Sequence, residues 1–241
     1  MKITEIDSEL PNMRPIKEVM NVFIENVNRN IPCRNGFVTV FTGSGGSGKS
    51  SLLLNMFKNP KYYRNKFDNI YYFIPITSFS SVEKSPFAEH DKIYHDLTSD
   101  KLESIYQELI DLKMNALANN YPLESSLIII DDFVNALKDN EIAIALNEVI
   151  IKTRHLNCSW IITLQAYNLC PQVLRKQITN AIIFKPKNNK EWLSVGGELL
   201  NMKKDDLTTL YNYVFNEPYN HLDVDTVENQ IYKNFNKLEL N

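Results

Sequence analysis

Residues 43–50, Gly43-Ser44-Gly45-Gly46-Ser47-Gly48-Lys49-Ser50, constrain this chain more than any other segment, because four of its seven glycines fall between positions 43 and 48. Glycine lacks a Cβ, so successive backbone N–H groups can turn inward around an anion at the positive start of a helix. The flanks supply that setting: Phe37 to Thr42 is a β-rich run, and Lys49 to Phe57 is apolar at Leu52, Leu53, Met56 and Phe57. The order strand, loop, helix fits G-x-x-x-x-G-K-[ST]. It makes Gly43, Ser44, Gly45, Gly46, Ser47, Gly48, Lys49, Ser50 and Ser51 the expected ATP-binding segment. Lys49 would reach the β- and γ-phosphates, and the Ser50 hydroxyl would ligate Mg²⁺. Gly43, Gly45 and Gly48 also satisfy G-x-G-x-x-G, but a dinucleotide site needs no lysine there. Ile70 to Ile74 also runs into Pro75 without the acidic residue such a site uses.

Leu127-Ile128-Ile129-Ile130-Asp131-Asp132 places two carboxylates after a strand apolar enough to be buried on both faces of a parallel sheet. Asp131 is expected to hold Mg²⁺ with Ser50, and Asp132 to orient the attacking water as general base. Thr163-Leu164-Gln165 ends the next strand, where the Gln165 amide can sense the γ-phosphate. That requires a strand inserted between the phosphate-loop strand and the Asp131 strand. Numbering strands along the chain from Phe37, the expected order is 5-1-4-3-2.

Strands alternating with helices predict an α/β fold with a parallel sheet covered by helices on both faces. Leu102, Ile105, Leu109, Leu112 and Ala116 mark a long helix opened by Asp100 and Glu103 as a capping pair. Ile142, Ala145, Leu146, Val149 and Ile150 mark another, and a short helix begins near Pro171 before a strand at Ala181 to Phe184. Residues 1–35 read as a small N-terminal helix carrying Val19, Val22, Phe23 and Val27, residues 36–187 as the ATPase core, and residues 188–241 as a C-terminal α/β extension. Within that extension, helices are expected around Trp192 to Leu200 and Asp205 to Phe215, then a strand at His221 to Val224 and a last helix.

The net charge of −3 excludes the broad basic field of a static nucleic-acid binder, so any such contact must be local. The local candidates are Lys185-Pro186-Lys187-Asn188-Asn189-Lys190, and Lys58, Lys61, Arg64 and Lys66 with Tyr62 and Tyr63. No run approaches the roughly 18 apolar residues of a membrane span. Met1 to Asp7 lacks a basic region followed by an apolar stretch, so a soluble, intracellular protein is expected. Cys33, Cys158 and Cys170 form no Cys-x-x-Cys pair and read as reduced thiols.

Gly43 to Ser50, Leu127 to Asp132, Arg154-His155, and Thr163-Leu164-Gln165 followed by Pro171 and Arg175 together resemble the FtsK/HerA superfamily of DNA-pumping ATPases. Within it they are most similar to the poxvirus-type genome-packaging ATPases of large DNA viruses and virophages. The likeness covers roughly residues 35 to 185, with a weaker echo at Ile231 to Phe235. The phosphate motifs are shared by many families; the Arg-His and Leu-Gln pairs narrow the choice. The resemblance implies a homo-oligomeric ring, hexameric or pentameric, that threads double-stranded DNA into a preformed capsid and meets capsid or portal vertex proteins. It places the protein in the host cytoplasm, at the viral factory, or in the virion. It also implies an arginine that completes the neighbouring subunit's site, with Arg154 first and Arg175 second. The superfamily more often has Glu after the metal-binding Asp; here it is Asp132, which leaves Glu148 as a second candidate base.

Two other functions fit the same loop. A nucleoside or small-molecule kinase would want a lid with several arginines, yet the six arginines, at 14, 29, 34, 64, 154 and 175, do not cluster. A nucleotide-gated capsid assembly protein would hydrolyse ATP only to time its release.

Overall fold

The computed structural model describes residues 23–80, 85–87 and 90–239. Its strands are β1 (Val38–Thr42), β2 (Asn69–Phe73), β3 (Ile93–Tyr94), β4 (Ser126–Ile130), β5 (Cys158–Leu164), β6 (Asn180–Phe184), β7 (His221–Asp225), β8 (Gln230–Lys233) and β9 (Asn236–Lys237). The helices are α1 (Lys49–Lys58), α2 (Ile76–Phe79), α3 (Ser99–Asn119), α4 (Asn140–Thr153), α5 (Gln172–Arg175), α6 (Asn189–Val195) and α7 (Lys204–Val214). All the strands join one sheet of order β3-β2-β4-β5-β1-β6-β7-β8-β9.

The five parallel strands expected from the sequence follow one another as β6-β1-β5-β4-β2, with β5 inserted between β1 and β4. The complete sheet is wider, because β3 adds to one edge and β7, β8 and β9 extend the other in antiparallel fashion. Register is set by side-chain alternation, since a slip by one residue would exchange the two faces of the sheet. Val40 pairs with Ile162 and Ile128 with Trp160, so apolar side chains of adjacent strands line up on the same face. On that face Val38, Val40, Ile128, Ile130, Trp160 and Ile162 pack beneath α3, α4, α6 and α7 through Leu102, Leu109, Leu146, Trp192 and Leu210. On the opposite face Phe41, Leu127, Ile129 and Ile161 meet Leu53, Met56 and Phe57 of α1 and Ile24, Val27 and Ile31 of the N-terminal segment. Helices cover both faces, which explains strands without polar alternation.

Several local expectations are corrected. The N-terminal helix falls mostly outside the described residues. From 23 to 35 the chain is not helical; turns are closed by a Phe23–Arg34 bridge, and Asn26 adopts a φ of 57°. α3 is capped by Thr98, whose side chain accepts from the Lys101 N–H, rather than by Asp100 and Glu103. The final segment forms β8 and β9 instead of a helix, because Ile231 and Tyr232 alternate into the sheet against Val224 and Asp223. No helix among the described residues is long and apolar enough to cross a membrane.

Candidate active site

In a parallel sheet the loops beyond the C-terminal strand ends share one edge, and ligands bind there. β1 delivers the glycine loop to this edge, β4 delivers Asp131 and Asp132, β5 delivers Thr163 and Gln165, and β2 delivers Tyr72 and the segment containing Ser78. Their residues line a cleft of about 310 Å³ with Gly45 to Ser51 on one wall and Asp131, Asp132 and Gln165 on the other. The structure thus brings together Lys49, Ser50, Ser51, Asp131, Asp132 and Gln165, all singled out in the sequence.

Backbone conformation explains the glycines. Gly48 has a φ of 104°, which an L side chain rarely adopts, and a Cβ there would lie 3.2 Å from Tyr219. At Gly43 a Cβ would approach Phe184 Cβ to 2.7 Å, a backbone-level clash with β6. Gly45 and Gly46 have nothing within 4 Å of that position, so the loop leaves room for a ligand above them.

The Lys49 ammonium donates to the carbonyls of Gly43 and Ser44, folded back on its own loop. Burial lowers its pKa, while the charges of Asp131 and Asp132 oppose that shift. Asp131 is buried, and its carboxylate accepts from the Thr163 hydroxyl and, at 3.1 Å, from the Tyr72 hydroxyl. Its pKa is raised: burial, aided by the charge of Asp132, outweighs these two donors and the charge of Lys49. Asp132 takes a φ of 61°, a left-handed conformation that Asp tolerates, and its N–H donates to Thr163 Oγ1 at 3.1 Å. This turns its carboxylate into the cleft, where Ser78 Oγ donates at 3.2 Å and Gln165 Nε2 lies 3.4 Å away.

The donor set fits a magnesium nucleotide. Among the described residues no group of three His, Cys, Asp or Glu could cage a metal. Mg²⁺ in phosphate-transfer sites is held by one or two protein ligands plus phosphates and water, which the Ser50 hydroxyl and Asp131 could provide. Ser47 Oγ is buried in the loop without a protein partner among the described residues, as a phosphate-facing hydroxyl would be.

A carboxylate whose folded pKa is raised destabilises the fold once pH exceeds its unfolded value, and the full penalty is present above the folded value. Asp131→Asn should therefore raise the thermal midpoint of the nucleotide-free protein at neutral pH, as read by scanning calorimetry. The gain should vanish in acid, where Asp131 is protonated in both states. A lower midpoint at neutral pH would mean that the Thr163 and Tyr72 hydrogen bonds outweigh desolvation.

Other candidates lie elsewhere. Glu148 is exposed on α4 beside Lys152, 3.7 Å away, and does not line the cleft. Arg175 is committed locally: it pairs with Glu198 at 2.8 Å and donates to the carbonyls of Cys170 and Asn168. Arg154 follows α4 and precedes β5, at the opposite edge of the sheet, where it is exposed and makes no ion pair or side-chain hydrogen bond among the described residues. Tyr63 is core, its hydroxyl donating to Pro32 O at 2.6 Å, so it is no nucleic-acid contact. Tyr72 and Ser78 escaped the sequence analysis; the signal that could have found them is their position at the end of a parallel strand and in the loop after it.

Fold and cleft together define a P-loop NTPase of the type with a strand inserted beside the phosphate-loop strand. The profile of the family described as Poxvirus A32 protein matches residues 25–237. The chain belongs to that family and is a viral genome-packaging ATPase. No curated protein matches its sequence. Among solved structures, the DNA-packaging ATPase B204 from Sulfolobus turreted icosahedral virus is similar in fold, with 18% identity over 86% of this chain and 98% of that chain and a TM-score of 0.59. The genome packaging NTPase B204 from Sulfolobus turreted icosahedral virus 2, in complex with ATP-gammaS, gives 17% identity, 83% and 97% coverage and a TM-score of 0.58. The cytoplasmic domain of the type VII secretion ATPase EccC from Thermomonospora curvata gives 15%, with 78% of this chain and 22% of that chain covered and a TM-score of 0.52. At these identities the likeness is one of fold.

Proposed function

We propose that this chain is the subunit of a homo-oligomeric ring that hydrolyses ATP with Mg²⁺ to move double-stranded DNA into a capsid. The observation that carries the proposal is the convergence of Lys49 and Ser50 with Asp131, Asp132 and Gln165 in one cleft. Gly43 to Ser51 hold the phosphates through backbone N–H groups, and Lys49 leaves its loop carbonyls to balance the β- and γ-phosphate charge. Ser50 and Asp131 would hold Mg²⁺, which would supply positive charge against the phosphates. Asp132 takes the proton of the attacking water at its carboxylate, and Gln165 orients the water or the γ-phosphate. The Ser78 hydroxyl and the left-handed turn at Asp132, held by Thr163 Oγ1, fix that carboxylate in place.

Arg154 supports a shared site. β5 spans seven residues, Cys158 to Leu164, between Arg154 and Gln165, and at about 3.3 Å per residue that is roughly 20 Å, beyond the reach of one side chain. It can therefore meet a γ-phosphate only across a subunit boundary, held by the neighbour's Lys49 and Ser50. Such a ring would meet capsid or portal vertex proteins, at the viral factory or in the virion. The test is ATP turnover by size-fractionated protein with and without duplex DNA, with stimulation expected in the ring fraction.

A further inference from the structure

The phosphate loop has a second side. A separate cleft of about 520 Å³ lies between the loop and the segments that follow β6 and precede β7, and it shares Gly45, Gly46 and Ser47 with the phosphate cleft. Its outer wall contains Phe184, Lys185, Pro186, Pro218 and Tyr219. Phosphates seated at Lys49 and running past Gly45 and Gly46 would lead into this second cleft, because nothing lies within 4 Å of where a Cβ would be at either glycine.

Tyr219 is the unusual residue there. Its φ is 65°, a conformation that is a genuine outlier for a bulky side chain, and the residue as a whole is 70% exposed. Strained backbone of this kind persists only where its surroundings over-determine it, and it clusters at ligand sites. Here the neighbours do over-determine it. Pro218 precedes it, and Asn220 follows, fixed by donating to Asn216 Oδ1 at 3.0 Å and accepting from Asn234 Nδ2 at 2.7 Å. The ring is held against the loop itself, with Cδ1 3.2 Å from the place a Gly48 Cβ would take. An exposed aromatic ring gains nothing for the fold from a strained backbone.

The geometry points to Tyr219 as the stacking platform for the nucleobase of ATP, in a subsite built by the C-terminal segment onto the phosphate loop. This rests on the reading of the phosphate cleft given above. Phe184 acts behind it as a positioning residue: its ring lies 3.3 Å from the place a Gly48 Cβ would take, and its Cβ lies behind Gly43. The edges of the base would face Glu217, Asn220 and the backbone of Lys185 to Lys187, all on the cleft wall. The phosphate loop binds any nucleoside triphosphate, so preference for the base must come from outside it, and this is the wall beside the loop that offers an aromatic face.

The test compares binding of ATP and of inorganic tripolyphosphate, each with Mg²⁺, by titration calorimetry on the full chain and on Tyr219→Ala, Tyr219→Gly and Tyr219→Phe. Base–aromatic stacking measured by alanine substitution predicts that Tyr219→Ala weakens ATP binding by about 5- to 150-fold and leaves tripolyphosphate unchanged. Tyr219→Gly, which accepts the positive φ without strain, should be at least as heat-stable as the parent yet lose the same affinity. Tyr219→Phe should stay within about twofold. Equal loss of both ligands in Tyr219→Ala, or no loss of ATP, would overturn the subsite while leaving the phosphate cleft intact. Failure of the parent chain to bind either ligand would overturn the functional reading, and the subsite with it.

Discussion

Lys49→Ala is expected to abolish ATP hydrolysis and to weaken nucleotide binding strongly. Among the described residues the lysine is the one cation lining the cleft, facing two carboxylates, Asp131 and Asp132. Without it the cleft walls would carry negative charge against a polyanion, in a partly buried setting where charge interactions are stronger than in water. The loss should be at least about 10²- to 10³-fold in turnover, the range seen when one key electrostatic contact to a transition state is removed. The fold should tolerate the change, because among the described residues the Lys49 ammonium bonds only to the carbonyls of Gly43 and Ser44 within its own loop. A folded Lys49→Ala protein with near-normal turnover would remove the assignment of this cleft.

Arg154→Ala is expected to lower turnover by about 10³- to 10⁵-fold, the usual worth of an arginine finger, without loss of nucleotide binding. Negative charge spreads over the equatorial oxygens in the transition state, and Lys49 cannot meet all of it. The six arginines of the chain put none in the phosphate loop; Arg175 is tied to Glu198, and Arg154 is exposed at the far edge. Mixed rings settle the geometry. Arg154→Ala subunits and Lys49→Ala subunits, each inactive alone, should regain partial activity together, since some interfaces then pair an intact Arg154 with an intact Lys49. Complementation cannot occur if Arg154 acts within its own subunit. Full activity of Arg154→Ala alone would hand the role to Arg175 or to no arginine.

The phosphate loop and the strand ends were legible because their chemistry is local in sequence. A run of glycines before Lys49, and two carboxylates after Leu127 to Ile130, announce strand–loop–helix and strand–loop units whatever surrounds them. The order of the five parallel strands followed from one requirement, that Gln165 stand beside the phosphates. What escaped depends on partners distant in sequence. Thr163 holds Asp131 and the backbone of Asp132 at once, and Tyr72 donates from another strand; neither role can be read without the register of β2, β4 and β5. The last strands were misread as a helix because Ile231 to Asn234 is short and its apolar residues fit either period until β7 offers an edge. Arg154 could be named from its motif, but not its place: it lies at the sheet edge opposite the phosphate loop, and that depends on where β5 begins and ends.

The claim that the chain couples ATP hydrolysis to movement of duplex DNA is tested most directly by steady-state ATP turnover of sized rings and sized monomers, each with and without duplex DNA, using Lys49→Ala as the blank. The account predicts nearly idle monomers, because the neighbour's arginine is missing, and rings whose turnover rises when duplex DNA is added. Monomers as active as rings, or ring turnover indifferent to duplex DNA at every concentration, would contradict it.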